Sequence, residues 1–353
     1  MVRTTAAAGP PPDRDGESVR VLIVDDSVVA RAVLGRMIEG MNGFRIAGSV
    51  SDVAGALKFL ASERADVILL DLEMPGIHGL TALPDLVAAG QGAKVLVVSS
   101  AADDGAAAAV QALALGAADT LVKPGVGNFA GRFAAVLEDR LTRLFDADDP
   151  GTAVSAHADH APGEFDIVAV GASTGGIHAL SQMLRAIPPS FLPPILVTQH
   201  LPASFMSYFA AQLAVLAGRP CEVAADHMRV RPGRMLVAPG DAHLRVARAG
   251  EGYYAVRLSH EAVASGCMPS VDPMLDSIAD LFGARGLGVV LSGMGRDGAV
   301  GAKRLIDAGG SVIVQDKASS VVWGMPGAIA ESAAAVLPPD EIGRMIASQR
   351  RPG

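Results

Sequence analysis

The chain has 353 residues, of which 50% are hydrophobic and 19% charged, enough apolar material for two ordinary cores and too much for a largely disordered chain. A net charge of −8 offers no basic face to nucleic acid or an anionic membrane, and 4% aromatic residues offer no base-stacking platform. Two cysteines, Cys221 and Cys267, are too few for a disulfide scaffold and lack C-x-x-C metal spacing. Every long apolar stretch is broken by a charge, Pro or Gly before membrane-helix length, and the polar, Pro-rich start lacks a signal peptide's apolar core. The expectation is a cytoplasmic protein with no nucleic-acid partner and no direct membrane insertion.

Residues 1–18, with Pro10-Pro11-Pro12, read as a disordered tail. Apolar runs follow at 19–24, 45–50, 67–70, 94–98 and 120–122, with helical patterns between them that include 28–39 and 54–62. Continuous Val/Ile/Leu runs imply strands buried on both faces, as in a parallel sheet covered by helices. Such α/β sheets bind ligands at the carboxyl ends of their strands. The first run ends in Asp25-Asp26-Ser27 and the third in Asp71, followed by Leu72-Glu73. The fourth ends in Ser99-Ser100 and the fifth in Lys123-Pro124. Clustered carboxylates repel one another unless a cation neutralises them, and an all-oxygen donor set suits Mg²⁺. A metal-backed aspartate can attack a phosphoryl group, with a lysine and a hydroxyl to hold its oxygens. Singly, Asp26 reads equally as a helix cap, Asp71 as a turn residue and Lys123-Pro124 as a loop. Together, in order, the strand ends carry the chemistry.

On these residues the first block resembles the receiver domain of two-component response regulators, over 19–140 within a domain spanning 19–145. The resemblance implies a flavodoxin-like (βα)5 fold and phosphorylation at Asp71 by a histidine kinase. It implies Mg²⁺ held by Asp26, Asp71 and the backbone carbonyl of Glu73, with Asp25 helping through water. Ser99 would be the switch hydroxyl and Lys123 the phosphoryl-binding lysine. Thr120 stands where the family usually carries an aromatic residue that changes rotamer.

Residues 146–164 read as a linker, with Asp148-Asp149-Pro150-Gly151 and Pro162-Gly163. Beyond it, apolar runs at 166–170, 194–198, 234–238, 287–291 and 310–314 repeat the theme, interrupted by a hairpin of 243–249 and 253–259 around Gly250-Glu251-Gly252. The first of these runs enters Gly171-Ala172-Ser173-Thr174-Gly175-Gly176, a G-x-S-x-G elbow between strand and helix. It presents Ser173 at a helix N-terminus, which favours developing negative charge. Three readings compete: a serine helix cap, a dinucleotide loop and a nucleophile. The dinucleotide loop is disfavoured because G-x-G-x-x-G is absent and the next run ends in Gln199-His200, not an acid. A nucleophile needs a base, and His200 ends the neighbouring run, whereas His178 lies on the helix after the serine. The run 287–291 leads into Ser292-Gly293-Met294-Gly295-Arg296-Asp297-Gly298. Asp297 could cap the helix 299–306 or orient the histidine. The order Ser, His, Asp differs from the Ser, Asp/Glu, His of α/β-hydrolases.

Here the second block resembles the catalytic domain of chemotaxis methylesterases, the response-regulator protein-glutamate methylesterase/glutamine deamidase family. The resemblance covers 166–337. It rests on Gly-Ala-Ser-Thr-Gly-Gly (171–176), Thr-Gln-His (198–200), Val-Ala-Pro-Gly (237–240), Pro-Ser-Val-Asp (269–272), Ser-Gly-Met-Gly-Arg-Asp-Gly-Ala (292–299) and Gly-Met-Pro (324–326). It implies a doubly wound, mostly parallel α/β domain with a β-hairpin over 165–345. It implies hydrolysis, without a cofactor, of methyl esters on glutamates of methyl-accepting chemoreceptors, and deamidation of receptor glutamines. Ser173 would be the nucleophile, His200 the general base then acid, Asp297 the orienter and the Met294 N–H the oxyanion donor, with Thr174 beside the site. Ala264-Ser265-Gly266-Cys267-Met268 departs from the family, which commonly has an arginine next to the following proline. An acyl phosphate at Asp71 would shift the population towards an open form. The rival readings are a non-catalytic, phosphorylation-gated receptor-binding module and, more distantly, a nicotinamide-dependent oxidoreductase.

Overall fold

Strands that bury both faces pair in parallel only when helices cover them, and this chain supplies both twice over. The computed structural model describes residues 18–74, 79–99, 103–123, 130–145, 157–158 and 163–348. The tail read at 1–18, apart from Ser18, and most of the linker read at 146–164 lie outside the described residues. The chain divides into two units, Met1–Asp149 and Pro150–Gly353.

The first unit alternates β1 (Val19–Val24), α1 (Val28–Glu39), β2 (Phe44–Val50), α2 (Val53–Ser62), β3 (Val67–Asp71), α3 (Gly79–Ala89), β4 (Lys94–Ser99), α4 (Asp103–Ala114), β5 (Asp119–Val122) and α5 (Ala130–Phe145). Its strands form one parallel sheet in the order β2-β1-β3-β4-β5. Helix starts are set by side chains that satisfy free N–H groups: Ser27 Oγ accepts from Ala30 N, and Asp52 Oδ1 from Gly55 N. Leu22, Ile23, Ile68, Leu69, Leu70 and Leu96 are fully buried. Each such side chain contributes roughly 1.5–3 kcal/mol of transfer free energy. The strand order reverses between β1 and β3, which opens a crevice at their carboxyl ends. Val24 pairs with Leu70, so Asp25 and Asp71 are neighbours by register alone.

The second unit runs β6 (His157–Ala158), β7 (Ile167–Ala172), α6 (Gly176–Arg185), β8 (Ile195–Gln199), α7 (Met206–Ala217), β9 (Cys221–Val223), β10 (Arg229–Val230), β11 (Met235–Val237), β12 (His243–Gly250), β13 (Tyr253–Ser259), α8 (Val271–Phe282), β14 (Gly286–Val290), α9 (Ala299–Asp307), β15 (Ser311–Gln315), α10 (Gly324–Gly327), β16 (Ala335–Leu337) and α11 (Pro339–Ser348). Its main sheet has the order β6-β16-β15-β14-β7-β8-β11-β9, parallel except for β6. Every residue of β7, β8 and β14 is buried. The chain runs outward from β7 through β8 and later returns to β14 on its other side, which makes a second strand-end crevice.

The hairpin is no interruption of that sheet. β12 and β13 join β10 in a separate antiparallel sheet that packs on α8. Val246 N donates to Ser277 Oγ at 3.0 Å, and the rings of Tyr254 and Phe282 lie 4.6 Å apart. The strands that the apolar runs did not announce are β6, β9, β10 and β16, each of two or three residues. Pieces that short carry no readable period.

Candidate active site and acidic strand-end cluster

In the first unit, the carboxyl ends of β1, β3 and β5 bring Asp25, Asp71 and Lys123 together. Lys123 Nζ lies 2.6 Å from Asp71 Oδ2 and 3.1 Å from Asp25 Oδ2. Asp25 Oδ1 accepts from Ser27 N, and Asp71 Oδ1 from Glu73 N. Both aspartates are buried, at 1% and 3% exposure, whereas Asp26 is exposed. Burial works against the charged lysine, but hydrogen bonds and charge from Asp71 and Asp25 outweigh it and raise the Lys123 pKa. One carboxylate oxygen each from Asp25, Asp26 and Asp71 lie within 4.8 Å of one another. Asp25 Oδ2 is buried, and Lys123 Nζ at 3.1 Å is its charge partner. Three carboxylates whose oxygens converge, with one lysine to offset their charge, offer the oxygen donors that a hard divalent cation takes. Ser99 ends β4, and its side chain lies outside the described residues. Thr120 sits inside β5, paired with Val97.

In the second unit, β7, β8 and β14 are adjacent, and register decides which side chains meet. Ala172 pairs with Gln199, so Ser173 and His200 leave the sheet side by side. His200 N donates to Ala172 O, and Gln199 Nε2 to Ser173 O, which ties the two turns together. Ser173 N donates to Ser292 O in the loop after β14. Two glycines allow this approach. Gly175 has φ +75°, and a Cβ there would lie 2.5 Å from Val321 Cβ. A Cβ on Gly293 would meet Met325 Sδ at 2.3 Å and Ser173 Cβ at 2.9 Å.

His200 Nε2 and Asp297 Oδ2 are 2.8 Å apart. Asp297 is only 1% exposed, and its carboxylate is saturated. Oδ1 accepts from Ser270 Oγ at 2.6 Å and Ser265 Oγ at 3.0 Å, and Oδ2 from Val271 N at 2.8 Å besides His200. Burial raises the Asp297 pKa, but the hydrogen bond and charge of His200, with Ser270 and Val271, outweigh it and hold the group below the usual carboxylate range. Burial likewise opposes charge on His200, yet the hydrogen bonds and charges of Asp297 and Cys267 raise it to about 9. Nε2 faces the carboxylate, which leaves Nδ1 to exchange a proton. Among the described residues no hydrogen bond joins Ser173 Oγ to His200, and none occupies the backbone N–H of Thr174 or Met294. Catalytic contacts of this kind commonly tighten only with substrate bound. His178 bonds Gln182 one turn along α6.

Three supports escaped the sequence reading. Ser270 caps α8 by accepting from Asp272 N while donating to Asp297. His243, fully buried, accepts from Ser270 N at Nδ1 and bonds the Glu261 carbonyl through Nε2. It thereby staples both ends of the loop 261–270. From that loop Ser265 and Cys267 reach the Asp297–His200 pair, in the stretch that departs from the family's arginine. The only legible signal was Ser270 as a cap before an apolar helix.

Two family models match the chain: "CheB methylesterase" over residues 168–346 and "Response regulator receiver domain" over 21–128. The chain is 39% identical to protein-glutamate methylesterase/protein-glutamine glutaminase 2 of Caulobacter vibrioides, a match covering 94% of this chain and 99% of that one. It is 37% identical to the protein-glutamate methylesterase/protein-glutamine glutaminase of Azospirillum brasilense, over 97% and 94% of the two chains. The crystal structure of the Thermotoga maritima CheB methylesterase catalytic domain is similar to it, with TM-score 0.51 and 34% identity, over 53% of this chain and all of that one.

Proposed function

The chain belongs to the CheB methylesterase family, with a response regulator receiver ahead of the esterase, and from that premise we propose a phosphorylation-activated serine hydrolase that removes methyl esters from glutamates of chemoreceptors and deamidates receptor glutamines. The observation that carries the assignment of residues is the 2.8 Å bond between His200 and a saturated, buried Asp297, one strand away from the turn that presents Ser173.

Ser173 Oγ attacks the ester carbonyl and gives its proton to His200 Nδ1. Asp297 holds the imidazole through Nε2 and stabilises its charge, and Ser265, Ser270 and Val271 hold Asp297. The unused N–H groups of Met294 and Thr174 stabilise the oxyanion. Methanol leaves with the proton from His200, or ammonia when the substrate is an amide. Water then gives a proton to the same imidazole and its oxygen to the acyl carbon; the imidazolium returns that proton to Ser173 Oγ as the C–O bond breaks, which frees the glutamate and restores the serine. No cofactor is needed for these steps.

The receiver spans 19–145 and the esterase 165–345. Asp71 takes the phosphoryl group from a histidine kinase, and Lys123 and Ser99 bind its oxygens. Asp25, Asp26, Asp71 and the Glu73 carbonyl would hold Mg²⁺, which neutralises the carboxylates and phosphoryl oxygens when bound. The work is cytoplasmic; among the described residues no helix is long and apolar enough to cross a membrane.

The test is methanol release from methylated receptor membranes. Ser173→Ala is expected to lose at least about 10³-fold in rate. Retained turnover removes the nucleophile assignment. A wild-type chain without turnover, with or without a phosphodonor, points instead to a non-catalytic receptor-binding module.

A further inference from the structure

Cys267 exchanges no proton and forms no bond in the proposed hydrolysis, yet it stands beside the base that performs it. One ligand atom each from His200, Cys267 and Asp297 lie within 4.8 Å of one another. The three come from separate elements: the end of β8, the loop before α8 and the loop after β14. The thiol is held there by construction. His243 fastens both ends of its loop, Ser265 Oγ bonds Asp297 Oδ1, and Cys267 N donates back to Ser265 Oγ at 3.3 Å. Cys267 and His200 are both partly exposed, so a cation can enter from solvent.

We propose that Cys267, His200 and Asp297 form an inhibitory site for a thiophilic divalent cation of the zinc type. Sulfur, imidazole nitrogen and carboxylate oxygen are the donors zinc prefers, whereas Mg²⁺ takes oxygen alone. With bonds to nitrogen and oxygen of about 2.0 Å, a tetrahedral zinc separates those two donors by roughly 3.3 Å, so the His200–Asp297 contact of 2.8 Å opens by about half an ångström. The cation replaces the His200 proton facing Asp297, and the carboxylate keeps its bonds from Ser265, Ser270 and Val271. Binding forms Zn–S, Zn–N and Zn–O bonds and releases two protons to solvent, one from the thiol and one from His200 Nε2, while Nδ1 keeps its own; a water fills the fourth position, and nothing is oxidised or reduced. The imidazole is then tied to the metal and no longer held for proton transfer from Ser173. The inhibition rests on the hydrolase reading, but the binding does not.

The experiment uses the full chain stripped of metal. Co²⁺ added alone is expected to give thiolate-to-cobalt charge-transfer absorption in the wild type and in Cys221→Ser, and none in Cys267→Ser. Zn²⁺ is expected to abolish ester hydrolysis reversibly, with Cys267→Ser needing at least about tenfold more metal for the same fractional inhibition. No thiolate absorption, or absorption that survives Cys267→Ser, overturns the site. Absorption without inhibition of an active enzyme overturns the inhibitory role and leaves the site standing. An enzyme inactive in metal-free buffer overturns the hydrolase reading, and the cobalt spectrum still judges the site.

Discussion

The two strand-end clusters of this protein occupy equivalent positions on two parallel sheets and treat their aspartates in opposite ways. At the first, two buried aspartates share one cation: Lys123 reaches both Asp25 and Asp71 from the end of β5. At the second, Asp297 accepts from four donors. A carboxylate pair offset by one lysine suits the cation and phosphoryl group proposed for it. A saturated one orients its neighbour and keeps its charge when that neighbour takes a proton. Under the proposed function the same topological position serves two chemistries, and the bonds around the carboxylate separate them.

Exchanging each aspartate for asparagine breaks this comparison most sharply. Asp297→Asn is expected to lower kcat by about 10³–10⁴-fold, because an amide no longer stabilises the imidazolium. Asp71→Asn is expected to leave basal hydrolysis in place and to abolish stimulation by a small-molecule phosphodonor. Both are read in one assay of methanol release, and equal losses in the two variants would erase the distinction.

Next comes the approach of the two loops. Gly293→Ala places a methyl carbon where Met325 Sδ and the Ser173 Cβ already sit. The Ser173 turn must shift, and a displacement near 1 Å is expected to lower kcat/KM by about 10²-fold. Fluorophosphonate labelling of Ser173 should slow in parallel; unchanged labelling would show that the turn absorbs the methyl.

Ser270→Ala removes the shortest bond to Asp297 while Ser265, Val271 and His200 remain. A destabilisation of about 1–3 kcal/mol is expected from urea unfolding, with a loss of activity well below that of Asp297→Asn.

The smallest effect is on pH. His200 is raised to about 9, so kcat/KM in chelator-containing buffer is expected to climb through and beyond neutrality, with an acid limb above the ordinary histidine range. Cys267 contributes to that rise, and Cys267→Ala is expected to move the limb downward. The linked stability has a definite sign. The His200 contribution is complete below the ordinary histidine pKa and is lost as pH rises through about 9. The Asp297 contribution is present above the ordinary carboxylate pKa and is lost as pH falls through its lowered value. Urea midpoints of the wild type and Asp297→Asn against pH check both limbs.

Much of this was legible in one dimension. The apolar runs located the long strands to within a residue or two, because a strand buried on both faces leaves no room for polar interruption. Chemistry at the ends of those runs was legible for the same reason: polar residues return where the sheet stops, as at Asp25, Asp71, Lys123, Ser173 and His200. The short strands β6, β9, β10 and β16 were not legible, because two or three residues carry no period, nor was the separate sheet that β10 completes with the hairpin.

By itself, the order of residues determined two parallel α/β units and the kinds of group their strand ends carry, because burial and helix capping are local constraints on composition. Tertiary structure alone decided which groups meet. The pairing of Ala172 with Gln199 sets Ser173 beside His200. The loop stapled by His243 delivers Ser265, Ser270 and Cys267 to an aspartate 27 to 32 residues further along. Register and loop closure act across such separations through hydrogen bonds that no local pattern encodes.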